Sequence, residues 1–347
     1  MINREFPRYS TDIAETPGAY YLSLTNPFIP KNHPPYSMIR ATIIGTQHLA
    51  TPQLITILAG HPDVHITAVI DPRLPGADIT DIVPALIGDL SLKIDTDTSA
   101  IGDSDVIFLA LPKGEARAFV RKADLKPDIK IIDLTGDFAI PDDTHDFVDG
   151  IAELNRKSMV RGSLHVTIPD PVTQSIALSL LPLAKNLLLN RPVRATYITT
   201  DRSLPFGSLH PDTAANTSAI ADRVLRAVRT LQNNTGATLE VAGFVGNLPS
   251  STLATVSTSI PGIDISHARE AYANFYGDHN FVHTPDSSKV ADTADVRHTN
   301  KAIYTLKADR DGNYTITTAL DPEMKGSAGN AVHCMNLLFG LHERVGL

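Results

Sequence analysis

Short apolar runs alternate with helix-like stretches over the first half of the chain, and the spacing changes near residue 170. Arg40-Ala41-Thr42-Ile43-Ile44 reads as a strand stopped by Gly45. A helix over 52–58 follows, with Pro52 in its first turn, where a missing N–H costs nothing. His65-Ile66-Thr67-Ala68-Val69-Ile70 predicts a second strand, closed by Asp71-Pro72. The run from Asp105 to Pro112 predicts a third; its unbroken apolar stretch suits a strand covered on both faces. A helix over 115–123 and a strand at Lys130-Ile131-Ile132-Asp133-Leu134 come next. Strands alternating with helices in this way predict an α/β domain with a doubly wound parallel sheet.

Beyond residue 170 the helices stay but the strands lengthen. Helices are expected over 173–187 and 214–231, with strands over 194–199, 239–244, 252–259, 302–307 and 314–319. That order predicts an α+β unit: an antiparallel or mixed sheet with helices on one side. A last helix over 328–341 places Ala331, Met335, Leu338 and Phe339 on one stripe.

The first 38 residues stand apart. Prolines 7, 17, 27, 30, 34 and 35 forbid long helices and interior strands, and Phe6, Tyr9, Tyr20, Tyr21, Phe28 and Tyr36 make the segment richer in rings than disordered tails usually are. Two readings stay open: an extended arm laid on the body or on a neighbouring subunit, and a loosely held extension before Met38. No basic segment followed by an apolar one marks a secretory signal. The whole chain has 347 residues, enough for more than one core. Its net charge of −8 argues against nucleic acid or an anionic membrane as partner. No apolar run approaches the ~20 residues that span a bilayer. The single cysteine, Cys334, offers no intrachain disulfide, which suits a cytoplasmic protein. Its neighbours are core-patterned, so it reads as a small buried helix residue.

Several blocks in register carry a family resemblance. They are Phe108-Leu109-Ala110-Leu111-Pro112-Lys113-Gly114, Ile132-Asp133-Leu134-Thr135-Gly136-Asp137-Phe138, Glu153-Leu154-Asn155, Leu253-Ala254-Thr255-Val256, Asp295-Val296-Arg297-His298-Thr299-Asn300, and Lys325-Gly326-Ser327-Ala328-Gly329-Asn330-Ala331-Val332 with Met335-Asn336-Leu337-Leu338-Phe339-Gly340-Leu341. Over residues 39–347 the chain resembles the N-acetyl-γ-glutamyl-phosphate reductases of the semialdehyde dehydrogenase superfamily. The resemblance implies a glyceraldehyde-3-phosphate-dehydrogenase-like fold. A Rossmann-type dinucleotide domain is then expected from 39–168 with 324–347, and an α+β catalytic and oligomerisation domain from 169–323. It also implies a homo-oligomer, a dimer or tetramer, and NADPH-dependent reduction of an acyl phosphate through a cysteine thioester.

The residues for that chemistry are replaced. The family's nucleophile stands in an Asn-Pro-Gly-Cys-Tyr-Pro-Thr turn; here Ile168-Pro169-Asp170-Pro171-Val172-Thr173-Gln174 occupies it, with Pro171 where the cysteine belongs. Proline brings neither a nucleophile nor an N–H. Thr167, Thr173 and Ser175 are nearby hydroxyls, but an ester is a poorer hydride acceptor, and Thr173 also suits a helix cap. The family's His-Arg-His run aligns with Ala214-Ala215-Asn216-Thr217-Ser218-Ala219; His210 is either a displaced base or a plain loop histidine. The glycine turn reads Gly45-Thr46-Gln47-His48-Leu49-Ala50-Thr51, with His48 and Thr51 at glycine positions. Asp71 would repel a 2′-phosphate and Arg73 attract one, so NAD and NADP both stay open. Leu111, Pro112, Lys113, Gly114 and Asn330 complete the candidate cofactor positions. His279 and His283 are spaced like metal ligands but lack a third partner, so no metal site is expected.

Two functions of different class follow. The first is a catalytically inactive homologue, a pseudoenzyme with a regulatory, scaffolding or heteromeric role, the last with an active paralogue as partner. The second is an enzyme of altered, non-redox chemistry on an amino-acid derivative, using Asp170, Thr173 and His210. An NADP-dependent acyl-phosphate reductase of arginine-type biosynthesis comes third. Asp133, Asp137 and Arg297 suit either of the first two, as holders of domain geometry or of substrate.

Overall fold

Two β-sheets, each with its own helices, organise the chain in a computed structural model describing residues 38–212, 214–285 and 289–347. The arm expected at the N-terminus lies, except for Met38, outside the described residues. The first sheet is built from β1 (Ile39–Ile44), α1 (Thr51–Ala59), β2 (Val64–Ile70), α2 (Ile79–Ile82), β3 (Val106–Leu109), α3 (Ala116–Lys122), β4 (Lys130–Asp133), β5 (Val148–Asp149), α4 (Ala152–Val160) and β6 (His165–Thr167). Its order is β2-β1-β3-β4-β6-β5, and its strands pair in parallel. The apolar runs of β1 and β3 are buried on both faces, which is why they show no alternation.

The second sheet follows from α5 (Pro171–Lys185), β7 (Val193–Thr200), β8 (Leu209–Pro211), α6 (Ala214–Leu231), β9 (Leu239–Gly246), β10 (Thr252–Ser259), α7 (Ile265–Tyr276), β11 (Val282–His283), β12 (Ala302–Ala308) and β13 (Asn313–Leu320). It runs β11-β12-β13-β10-β7-β9-β8. The β7–β9 and β11–β12 pairs are parallel and the others antiparallel, so the sheet is mixed. One face carries Ala195, Tyr197, Ala254, Val256 and Ile316, which share a core with α5, α6 and α7. Arg194, Thr196, Leu253, Thr255 and Thr317 alternate onto the other face. Helix α7 escaped the sequence reading although its signals are present. Asp264 caps it by accepting the N–H groups of Ser266 and His267, and Ala268, Ala271, Tyr272 and Tyr276 form its buried stripe.

Two expected helices need correction. Helix α5 begins at Pro171, two residues before the expected start, because Asp170 caps it and proline fits the first turn. Its capping group is Asp170; Thr173 is the residue that donates, giving its N–H to Asp170 at 2.9 Å and its hydroxyl to the same carboxylate. The last helix, α8 (Gly329–Leu338), is shorter than expected and is buried all round instead of along one stripe. It returns to the first sheet's core, where Ala331, Val332, Cys334 and Met335 join Ile43, Leu54 and Phe108.

A π-helical turn, Met324–Ala328, leads into α8 and carries Lys325. The Lys325 ammonium donates to Oε1 of Glu153 on α4 at 2.6 Å, with side-chain exposures of 0% and 1%. Asn330 closes the arrangement by donating to the Gly150 carbonyl at 2.8 Å. Burial is the largest single influence and raises the Glu153 carboxyl, but the charges of Lys325 and His333 and the Lys325 hydrogen bond together outweigh it and hold the group down at about 2. Lys325→Met strands a buried carboxylate and is expected to cost ~3–5 kcal/mol in urea unfolding. A loss below ~1 kcal/mol would show that the pair does not organise the fold. Because the Glu153 carboxyl is depressed in the folded chain, its contribution is complete above pH 4.5 and is lost as pH falls toward about 2. Glu153→Gln should flatten that acid limb of the stability curve.

Candidate active-site cleft

A cleft of about 1110 Å³ opens between the carboxyl ends of the first sheet's strands and helices α5 and α6 of the second. This is where open parallel sheets place their ligands. Gly45 ends β1 with φ 87°, and a Cβ there would lie 2.9 Å from the Ala110 carbonyl oxygen, so only glycine fits. The turn it begins is satisfied in part from within. Thr46 donates its N–H and hydroxyl to Asp71 at 3.0 and 2.6 Å. The His48 N–H goes to the Ala110 carbonyl at 3.1 Å, and Thr51 N–H to the His48 carbonyl at 2.9 Å. The His48 ring turns back so that Nδ1 accepts the Ala50 N–H at 3.2 Å. Burial pulls the His48 pKa down to about 4, keeping the ring neutral and that nitrogen able to accept.

The second turn is likewise filled in part. Asp137 accepts the N–H groups of Gly114 at 2.7 Å and Ala116 at 2.9 Å, standing as an anion at the start of α3. Asp71 is fully buried, accepts the Arg73 N–H at 2.9 Å and does not line the cleft; Arg73 is bound to Glu115 at 2.7 Å. The expected contest between Asp71 and Arg73 over a ribose is therefore corrected: internal partners hold both. Asn330 is corrected too, since it lies in the core bound to Gly150 and Lys325. Gln47, His48, Leu111, Pro112 and Lys113 do line the cleft, whereas Gly45, Thr46 and Gly114 stand behind it. A dinucleotide pyrophosphate needs free N–H groups at such turns. The N–H groups of Thr46, His48, Ala50, Gly114 and Ala116 are committed within the chain, while those of Gln47, Leu49 and Lys113, which line the cleft, have no partner among the described residues.

At the head of α5, Ile168, Pro169, Asp170, Pro171 and Thr173 all face the cleft. The Pro171 ring packs on Gly326 so tightly that a Cβ on that glycine would sit 2.8 Å from the Pro171 Cβ. The nearby hydroxyls are committed: Thr167 donates to Asp133 at 2.9 Å, Thr173 to Asp170, and Ser175 to the Val172 carbonyl at 2.9 Å. Asp133 is fully buried; burial raises its carboxyl against the bonds it accepts from Thr135, Thr167 and Phe138. Cys334 is buried in α8 away from the cleft lining, and burial pushes its thiol up, which keeps it protonated and inert. His210 sits exposed on β8 opposite Val245 and does not line the cleft. Arg297 is exposed and also lies outside the lining. Among the described residues, no group of three or more His, Cys, Asp and Glu is placed to hold a metal ion.

Other cleft residues went unnoticed in the sequence. Tyr197 lies across Gly243, where a Cβ would fall 2.5 Å from its ring, and its hydroxyl donates to Asp212. Arg223, on α6, is buried; it donates to Asp149 at 2.9 Å and to the carbonyls of Thr167 and Ile168 at 3.0 and 3.4 Å. Arg226, one turn on, donates to the Ala139 carbonyl at 3.1 Å. Charged residues on an amphipathic helix ordinarily mark a solvated face, so no local pattern distinguishes these two.

Residues 40–161 match the family model described as the NAD-binding domain of semialdehyde dehydrogenase. The N-acetyl-gamma-glutamyl-phosphate reductase of Phocaeicola vulgatus is 33% identical over 321 residues, covering 89% of this chain and 98% of that protein. The protein of the same name from Bacteroides fragilis is 32% identical with the same coverage. Among solved structures, aspartate semialdehyde dehydrogenase II of Vibrio cholerae aligns with a TM-score of 0.70 at 10% identity, covering 87% of this chain and 98% of that one, a likeness of fold alone. The parallel sheet, the mixed sheet and the return of the last helix are thus a glyceraldehyde-3-phosphate-dehydrogenase-like architecture, and the chain belongs to the N-acetyl-gamma-glutamyl-phosphate reductase family.

Proposed function

We propose that this chain is a catalytically inactive member of its family, keeping the reductase fold while serving as a regulatory, scaffolding or heteromeric partner. The observation that carries the reading is Pro171, the first residue of α5, seated on Gly326 in the cleft. A thioester cannot form there, and the chain's only cysteine is buried elsewhere. The glycine turn, with His48 at a glycine position and its ring turned back onto the Ala50 N–H, supports it, since hydride chemistry needs a nicotinamide held in place. One observation favours a second reading, altered non-redox chemistry. The Tyr197 hydroxyl and the Asp212 carboxylate face the cleft in mutual contact and could pass a proton to a ligand.

For its partner, we favour a second copy of the chain or an active relative, docked on the uncovered face of the second sheet. Thr196, Thr255 and Thr317 spread small side chains over the part of that face left open among the described residues, Leu253 being covered by Ala291 and Val296, and Phe244 at its side is 40% exposed. A cytoplasmic location agrees with the lone cysteine, and no described helix is long and apolar enough to cross a membrane.

A nicotinamide nucleotide bound to the folded chain at a hundred times its dissociation constant would add ~2.7 kcal/mol of stability. Thermal unfolding is expected to be unmoved by NADPH, NADP, NADH or NAD. The purified chain is expected to leave NADPH unoxidised in the presence of N-acetyl-γ-glutamyl phosphate. Substrate-dependent NADPH oxidation that remains after host enzymes are removed would sink the proposal. For the assembly, Thr255→Arg on the sheet face should convert the species seen by light scattering to monomer; an unchanged mass would place the interface elsewhere.

A further inference from the structure

We propose that the cleft binds a small oxyanion ligand, carrying a carboxylate or a phosphate monoester, on the guanidinium of Arg226. The inference goes beyond the loss of reductase chemistry and holds whether or not the cleft performs any reaction. Arg117, Arg202 and Arg223 also line the cleft, and each is neutralised by a carboxylate: Asp142 at 2.7 Å, Glu323 at 2.5 Å and Asp149 at 2.9 Å. Arg226 is half-buried, and its single bond to the Ala139 carbonyl leaves the rest of its donor fork without a partner among the described residues. It makes no ion pair among them; Asp149 and Asp222 act on it only from a distance.

Burial, then the neighbouring charge of Arg223, weakens the hold of Arg226 on its proton, the mark of a cation short of compensation. A planar fork in a partly desolvated wall is matched by a carboxylate or a phosphate, which it can hold through paired hydrogen bonds. The position differs from the pyrophosphate's: α6 supplies it from across the cleft, opposite the turns after β1 and β3. The neighbouring walls set the rest of the ligand. Ile140, 68% exposed, with Leu134, Ile168 and Ile220, offers an apolar bed, and Lys113 across the cleft is a second cation with no ion pair among the described residues. A short chain or small ring ending in an oxyanion fits this space, in the manner of small-molecule pockets that combine apolar walls with a few polar anchors.

Calorimetric titration of the full chain with succinate and with inorganic phosphate, against sodium chloride of equal ionic strength, tests the site. At least one of the two anions should bind saturably, and chloride should not reproduce its heat. Arg226→Gln should weaken that binding by at least about tenfold, as loss of a charge-assisted pair does. Arg226→Lys keeps the charge and the packing stem but loses the fork; it should fold and still weaken binding severalfold. Arg229→Gln, the same charge change on an exposed position of α6, should leave the affinity unchanged. Preference for succinate assigns a carboxylate ligand, and preference for phosphate a phosphate monoester. Absence of binding by both, or equal affinity in the Arg226 variants and the parent chain, overturns the inference.

Discussion

The buried contact between Lys325 and Glu153 joins parts of the chain 172 residues apart and orders what lies around it. Neither side chain reaches water, so each charge is tolerable only because the other is there. The contact ties α4 to the π-helical turn and so brings α8 back beneath the first sheet. His333 and Glu343, 2.7 Å apart, and Arg156, 2.6 Å from Glu343, extend the charged layer around α8. The consequence reaches the cleft. Gly326 and Ser327 follow Lys325 directly, and Gly326 is the floor on which Pro171 rests. A buried ion pair is weak evidence for stability but good evidence for a specified arrangement, and here it specifies the head of α5.

Around that head the cleft has turned inward. Several of the backbone N–H groups a phosphate could take are already held by a side chain of the protein: Asp71 for Thr46, His48 for Ala50, Asp137 for Gly114 and Ala116. Each substitution removes the desolvation cost of an orphan donor, and each means that a ligand must displace a bond already made. The partly closed turns, the proline at the helix start and the buried thiol agree with one another.

Helix α6 fastens the two sheets. Arg223 spends its donors on Asp149 and the carbonyls that end β6, and Arg226 reaches Ala139 in the loop beyond β4. These bonds run from the second sheet's helix to the first sheet's carboxyl edge, so they set the width of the cleft. They also separate two roles on one helical face: Arg223 is discharged within the structure, while Arg226 keeps most of its fork for something else.

Much of this was legible in the residues alone. The alternation of strands and helices identified the parallel sheet, the longer strands the mixed one, and blocks such as Ile132 to Phe138 the family. The expectation that Pro171 stands where the family has its cysteine came from the family resemblance, not from spacing. Positions that depend on distant partners were not legible. Asp71 and Arg73 looked like opposed ribose contacts until the fold turned one inward to Thr46 and paired the other with Glu115. Asn330 looked like a cofactor residue until Gly150 proved to be its partner. Thr173 looked like a cap and is the residue capped. Local order and residue chemistry are written along the chain because they arise from neighbours a few positions apart. Which donor meets which acceptor, and which charge is left over, follows from contacts between segments far apart in sequence, and these exist only once the two sheets have come together.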